Sequence, residues 1–112
     1  MNGNIHNETE LIFGEPVDPM STEHSDALAR IVAKEESIVE AYLPLCYIEG
    51  AETASQVLVI GVRSAEDIPL MMGSVMPEVL AISTDENYTD IMPFPAEAIP
   101  DVARVMAIKT PQ

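Results

Sequence analysis

One segment, Val57-Leu58-Val59-Ile60-Gly61-Val62, is apolar on both faces of any strand that it forms. A strand with one face in water alternates apolar and polar side chains, whereas a strand buried on both faces is a continuous apolar run rich in β-branched residues. The segment therefore predicts the central strand of a sheet that is covered on both sides. At 112 residues, 47% of them apolar, the chain has enough material for one modest core.

The preceding segment has the period of a half-covered strand. Apolar side chains recur at every second position from Val39 to Tyr47, and the positions between them are mixed in character. Pro44 has no backbone N–H, which places it at a bulge or on the unpaired side of an edge strand. Residues 49–53 are expected to form a turn, so that this strand and residues 57–62 form a hairpin.

Two helices are predicted from capping residues and spacing. Ser21 or Thr22 caps the first, which should continue to about Glu35. Its buried face is expected to consist of Ala27, Leu28, Ile31 and Val32. The second is expected to be short: it starts after Ser64 with Pro69 in its first turn and ends before Pro77, because proline interrupts helices.

The remaining segments complete an α+β order. Residues 11–13 are expected to form an edge strand, residues 79–83 a third strand and residues 88–94 a further extended piece, with Pro95 and Pro100 opening short helical segments. The predicted fold is a small, mostly antiparallel sheet covered by two or three helices, in the order β-α-β-β-α-β-(β)-α. Residues 1–10 are expected to be a flexible arm and residues 11–112 a single domain.

The chain is strongly acidic. It holds 19 Asp and Glu against 5 Lys and Arg, a net charge of −14. Nucleic acids and anionic membranes require a basic patch, so neither is expected as a partner, whereas a basic protein surface is compatible. The single cysteine, Cys46, excludes an internal disulfide and fits a reducing compartment. With no secretory signal and no apolar run of about 20 residues, a cytoplasmic location is expected.

Four segments, in their order and spacing, resemble the C-terminal domain of the bacterial SseB family, named for enhanced serine sensitivity. They are Leu11-Ile12-Phe13-Gly14-Glu15-Pro16, Ile38-Val39-Glu40-Ala41-Tyr42-Leu43, Leu58-Val59-Ile60-Gly61-Val62 and Tyr88-Thr89-Asp90-Ile91-Met92-Pro93-Phe94. The resemblance implies a bacterial cytoplasmic protein without established catalytic residues. SseB proteins usually carry a second domain before this one, and 112 residues leave no room for it, so a stand-alone variant with its own partner is expected.

Enzymatic chemistry finds no support in the sequence. Cys46 would need a neighbouring base, yet the only histidines, His6 and His24, lie early in polar segments, so a small buried side chain is the expected role. His24-Ser25-Asp26 has the residue types of a catalytic triad but not its geometry, because neighbours along a helix point in different directions. The chain is therefore predicted not to be an enzyme.

Metal and cofactor sites are not predicted either. Glu35, Glu36 and Glu40 need no role beyond solvated acidic side chains, and Asp85-Glu86-Asn87 with Asp90 lacks the glycine and glutamate of a calcium loop. No glycine-rich phosphate-binding run occurs. The sequence therefore predicts neither a cofactor nor a bound metal.

Methionine is the one excess that suggests binding. Met71, Met72 and Met76 crowd the predicted second helix, and flexible thioethers suit adaptable binding surfaces, although they also fill cores poor in aromatic residues. We therefore predict a non-enzymatic, acidic protein–protein interaction domain, with these three methionines as candidate contacts and with another protein or a second copy as partner. The alternative is an acidic inhibitor or immunity-type protein that mimics nucleic acid and occludes a basic enzyme.

Overall fold

The structure is a computed structural model, and it describes residues 11–48, 54–84 and 89–110. Two α-helices and seven strands make up its regular elements. The helices are α1 (Thr22–Ala33) and α2 (Ile68–Ile82). The strands are β1 (Leu11–Gly14), β2 (Ile38–Tyr42), β3 (Leu45–Ile48), β4 (Ser55–Gln56), β5 (Leu58–Val62), β6 (Ile91–Pro95) and β7 (Ala107–Lys109). Single 3₁₀ turns occur at Ala65–Asp67, Ala96–Ala98 and Asp101–Ala103.

The strands form two sheets, and the α+β class is confirmed. A four-stranded sheet has the order β6-β5-β2-β7, and a three-stranded sheet has the order β1-β3-β4. All pairings are antiparallel except that of β5 with β6, which is parallel. β2 pairs antiparallel with β5, with Ala41 opposite Ile60, but the predicted hairpin is wrong, because β3 and β4 intervene along the chain and lie in the other sheet.

The central strand β5 is buried at all five positions, as its composition predicts. Successive side chains point to opposite faces of a sheet. Ile60 accordingly packs in the cluster formed with α1 and α2, whereas Val59 packs in a second cluster with Tyr42, Cys46 and Ile99. The four-stranded sheet is therefore covered by the helices on one face and by the three-stranded sheet and the last two 3₁₀ turns on the other.

Helix α1 agrees with its prediction at both ends. The Ser21 hydroxyl accepts a hydrogen bond from the His24 backbone N–H at 3.1 Å, so Ser21 is the N-cap. At the other end Lys109 Nζ donates to the carbonyl oxygens of Val32 and Glu35, at 3.1 and 2.9 Å. Each of these oxygens also accepts a backbone N–H, from Glu35 and Ile38 respectively, both at 3.2 Å. The Lys109 bonds are therefore additional ones, and they tie β7 to the end of α1.

The predicted strand at residues 79–83 is wrong, because α2 continues through Pro77 to Ile82. A proline in a helix removes the hydrogen bond to the carbonyl four residues earlier, which here belongs to Gly73. Gly73 and Pro77 both lie on the exposed side of α2, so water can satisfy that carbonyl. Met71, Val75 and Val79 then continue one buried face at helical spacing.

Two further segments differ from their predictions. The period-two segment is divided into β2 and β3 at Leu43 and Pro44, where the chain passes from one sheet to the other. Near the C-terminus, Pro100 precedes a 3₁₀ turn as expected, but Met106 adopts a positive φ of 56° and the chain then forms β7 rather than a helix. The arm expected at residues 1–10 and the turn expected at residues 49–53 lie outside the described residues, as do Asp85, Glu86 and Asn87.

Candidate functional site

The outward face of α2 is apolar and uncharged. Leu70 is 80% exposed and Leu80 is 51% exposed, and Gly73, Ser74 and Pro77 are exposed between them. Glu78 is the one charged residue in the helix. At about 1.5 Å per residue the two leucines lie about 15 Å apart along the helix. A contiguous exposed patch without charge is typical of a protein contact surface, so the residues Leu70, Gly73, Ser74, Pro77 and Leu80, termed the α2 outer face, form a candidate contact surface.

The three methionines predicted to bind a partner occupy different environments on α2. Met71 is only 1% exposed and belongs to the core cluster, so its thioether does not reach the surface. Met72 and Met76 are half-buried beside the α2 outer face. Their role in binding stays a prediction. The residues that the sequence reasoning missed are Leu70 and Leu80.

A signal for these two leucines is present in the sequence. Leu70, Gly73, Pro77 and Leu80 are separated by three, four and three residues, which places them on one side of a helix opposite Met71, Val75 and Val79. Ending the predicted helix before Pro77 removed Leu80 from it. The uncharged stripe could therefore not be seen as one face.

A groove lies between α1 and α2, next to the α2 outer face. Its volume is about 400 Å³. The lining residues are Ala27, Arg30, Ile31, Lys34, Glu78, Ala81 and Ile82. Lys34 Nζ forms an ion pair with Glu78 Oε1 across the groove. Within residues 11–48, 54–84 and 89–110 the Arg30 side chain has no hydrogen-bond or ion-pair partner, so a free cation stands at the rim of an apolar depression.

The other cations of the chain are engaged within the fold. Arg63 Nη2 donates to the Glu36 carbonyl oxygen at 3.0 Å, and Lys109 binds the end of α1 as described. Arg104 is held by Glu40, with Nε 3.2 Å from Oε1. Among the described residues, Arg30 is therefore the cation that makes no bond to the fold, while the exposed Arg63 binds a carbonyl oxygen and keeps its positive charge unpaired.

A buried polar cluster on the opposite face of the sheet has the residue types of an active site. Glu40 Oε1 accepts hydrogen bonds from the Tyr42 hydroxyl at 2.6 Å and from Arg104 Nε at 3.2 Å. Burial raises the pKa of the Glu40 carboxyl, but those hydrogen bonds and the positive charge of Arg104 bring its pKa below the ordinary value of 4.5. Burial and the hydrogen bond to Glu40 raise the pKa of Tyr42.

The geometry of this cluster is that of a structural clasp. Arg104 Nη1 donates to the Ile99 carbonyl oxygen at 3.1 Å and to Asp101 Oδ1 at 2.9 Å, and Nη2 donates to the Ala96 carbonyl oxygen at 3.2 Å. With the bond to Glu40, the guanidinium makes four hydrogen bonds to the fold itself. These bonds fix the 3₁₀ turns Ala96–Ala98 and Asp101–Ala103 against the sheet.

The remaining reactive residue types are also built into the core. His24 Nε2 lies 3.1 Å from Thr89 Oγ1, and both residues are buried. Cys46 is buried, and burial, followed by the negative charge of Asp90, raises the pKa of its thiol. A raised pKa reduces the thiolate fraction that nucleophilic chemistry requires. His24 and Cys46 are each held by packing or by a hydrogen bond within the fold.

In the part of the chain that the structure describes, no group of three or more His, Cys, Asp and Glu side chains is placed to hold a metal ion. None of the helices there has the length and apolar character needed to cross a bilayer.

Comparison with protein-family models, with curated proteins and with solved structures finds no match to this chain. The resemblance to the SseB C-terminal domain therefore stays a prediction.

Proposed function

We propose that the chain is a non-enzymatic, acidic protein–protein interaction domain of a bacterial cytoplasmic protein, and that it contacts its partner through the helical layer. The observation that carries the proposal is the α2 outer face. In a chain with 19 acidic residues, the segment from residue 68 to residue 84 contains one charge, Glu78. An exposed, uncharged helix face costs free energy in water unless something covers it.

The composition of the face suits a protein partner. Fully burying one leucine contributes about 1.5–3 kcal/mol, so Leu70 and Leu80 can supply two anchors, and Gly73 allows a close approach between them. Met72 and Met76 lie half-buried along one side, where their flexible thioethers can adapt to the partner. The resemblance to the SseB family implies a bacterial cytoplasmic protein without established catalytic residues, which is compatible with this assignment.

A pull-down with the tagged full chain tests the proposal. Leu70→Glu and Leu80→Glu place a charge on the α2 outer face and should each abolish capture of the partner from host cells. Val102→Glu is the matched control, because Val102 is 62% exposed, lies outside α2 and receives the same charge.

Two results would count against the proposal. Equal capture by all three variants would show that the α2 outer face is not the contact. Capture of a basic nucleic-acid enzyme that survives Leu70→Glu and Leu80→Glu but weakens with salt would favour the acidic inhibitor instead.

A further inference from the structure

The exposed side of α1 is acidic in its first half and basic at its C-terminal end. Glu23 and Asp26 lie in its first half, and Arg30 and Lys34 lie in its last turn and at its C-cap. Their spacings of three and four residues place all four side chains on one side of the helix. All four are exposed, so they form a stripe that is acidic at one end and basic at the other.

Such a stripe is complementary to itself. If two α1 helices pack antiparallel about a two-fold axis near residue 28, the acidic half of each meets the basic half of the other. Asp26 then lies opposite Arg30 of the second copy, and Glu23 lies opposite Lys34. Since the axis repeats each contact, two Asp–Arg pairs form at once.

Asp26 and Arg30, the central pair of this arrangement, are free in the single chain, whereas Lys34 is already paired with Glu78. Asp26 and Arg30 are four residues apart on one helix, yet among the described residues neither takes part in an ion pair or a side-chain hydrogen bond. The arrangement also places Arg30 opposite an acidic residue, Asp26 of the second copy. This attraction opposes the repulsion between copies that a net charge of −14 causes.

We propose that two copies of this chain associate through their helical layers, with Asp26 of each copy opposite Arg30 of the other. The inference rests on the proposed function, because it takes the helical layer as the interaction surface. The α2 outer face adjoins α1 across the groove and adds apolar area to the same contact.

The area of the face formed by α1 and α2 indicates how strongly two copies can associate. At about 1.5 Å per residue and about 10 Å in diameter, two helices of this length side by side present a face of about 400 Å² per copy. A total of about 800 Å² is below the range of stable complexes. A transient dimer is therefore expected.

Sedimentation of the purified full chain from about 10 µM to about 1 mM tests the inference, in about 0.15 M salt to screen the net repulsion. The unmodified chain should show a reversible monomer–dimer equilibrium. Arg30→Glu and Asp26→Arg each set like charges opposite one another, and each should weaken association about tenfold. An equimolar mixture of the two variants restores both pairs and should associate about as well as the unmodified chain.

Controls separate this geometry from the effect of net charge. Arg63→Glu changes the net charge as Arg30→Glu does, and Glu97→Arg changes it as Asp26→Arg does; both residues are exposed and lie outside the helices. Neither control should weaken association by more than about twofold. Controls that weaken it as much as the test variants would overturn the inference, as would a mixture no better than the single variants.

The outcomes also distinguish this inference from the function on which it rests. A monomer at every concentration overturns the dimer, while capture of another protein that is lost in Leu70→Glu would still support the proposed function. A dimer restored by mixing supports the inference even where no other protein is captured.

Discussion

Arg104 Nε lies 3.2 Å from Glu40 Oε1, and this ion pair joins residues that are 64 positions apart along the chain. The same guanidinium binds the carbonyl oxygens of Ala96 and Ile99, so the C-terminal segment is held on the sheet before it turns to form β7. Since Lys109 of β7 caps the end of α1, the clasp also supports the helical layer that carries the candidate contact surface.

The clasp predicts a specific pH dependence of stability. The pKa of Glu40 is lower in the folded protein than its ordinary value of 4.5. A lowered carboxyl pKa contributes stability that is present above about 4.5 and is lost as the pH falls through the folded pKa. Glu40→Gln cannot ionise, so at pH 7 it should be less stable by about 1–3 kcal/mol, and the difference should shrink below pH about 4.5.

Urea unfolding of both proteins between pH about 3 and about 7 measures this difference. Two stability curves that stay parallel throughout would contradict the role assigned to the Glu40 carboxylate.

Replacing Gly61 and Gly73 by alanine should change the free energy of unfolding in opposite directions. A Cβ at Gly61 would lie 2.6 Å from Ile99 Cδ1, 2.9 Å from Glu40 Cγ and 3.2 Å from Ala96 Cα, so Gly61→Ala should destabilise the fold by about 1–3 kcal/mol. A Cβ at Gly73, in the middle of α2, would meet nothing within 4 Å. Gly73→Ala should stabilise by about 0.5–1 kcal/mol, because alanine is the better helix former. Denaturant midpoints with equal m-values test both, and a stabilising Gly61→Ala would contradict the close approach of the clasp to β5.

Alanine substitution of two neighbouring residues on α2 should change stability by very different amounts, because one residue is buried and the other is exposed. Met71→Ala removes a buried side chain and should cost about 2–5 kcal/mol. Leu70→Ala removes an exposed one and should change stability by less than about 0.5 kcal/mol. Thermal and urea unfolding measure both, and a large loss in Leu70→Ala would mean that the α2 outer face is covered within the single chain.

The sequence predicts an element best where its apolar residues fit only one kind of secondary structure. Helix α1, with its Ser21 cap, and strand β5, with side chains in both clusters, follow directly from spacing and composition. Val79 and Ile82 fit a strand as well as a helix, and their state is decided by packing in register with Met71 and Val75, which no local pattern records.

The candidate site was predictable in location but not in composition. The methionines indicate the helix that carries the candidate contact surface, whereas the exposed leucines emerge only once α2 is known to continue through Pro77. The clasp between Glu40 and Arg104 depends on a contact between distant segments, and charged residues so far apart in sequence give no signal of pairing.

The central claim, that a protein partner covers the α2 outer face, is tested most directly by photo-crosslinking in host cells. A photoreactive amino acid replaces Leu70 in one variant and Val102, exposed outside α2, in the other. A probe at position 70 should give one or more discrete crosslinked protein species that are lost when Leu80→Glu is added, and a probe at position 102 should give none. An absence of crosslinks at position 70, or the same species from both positions, would contradict the central claim.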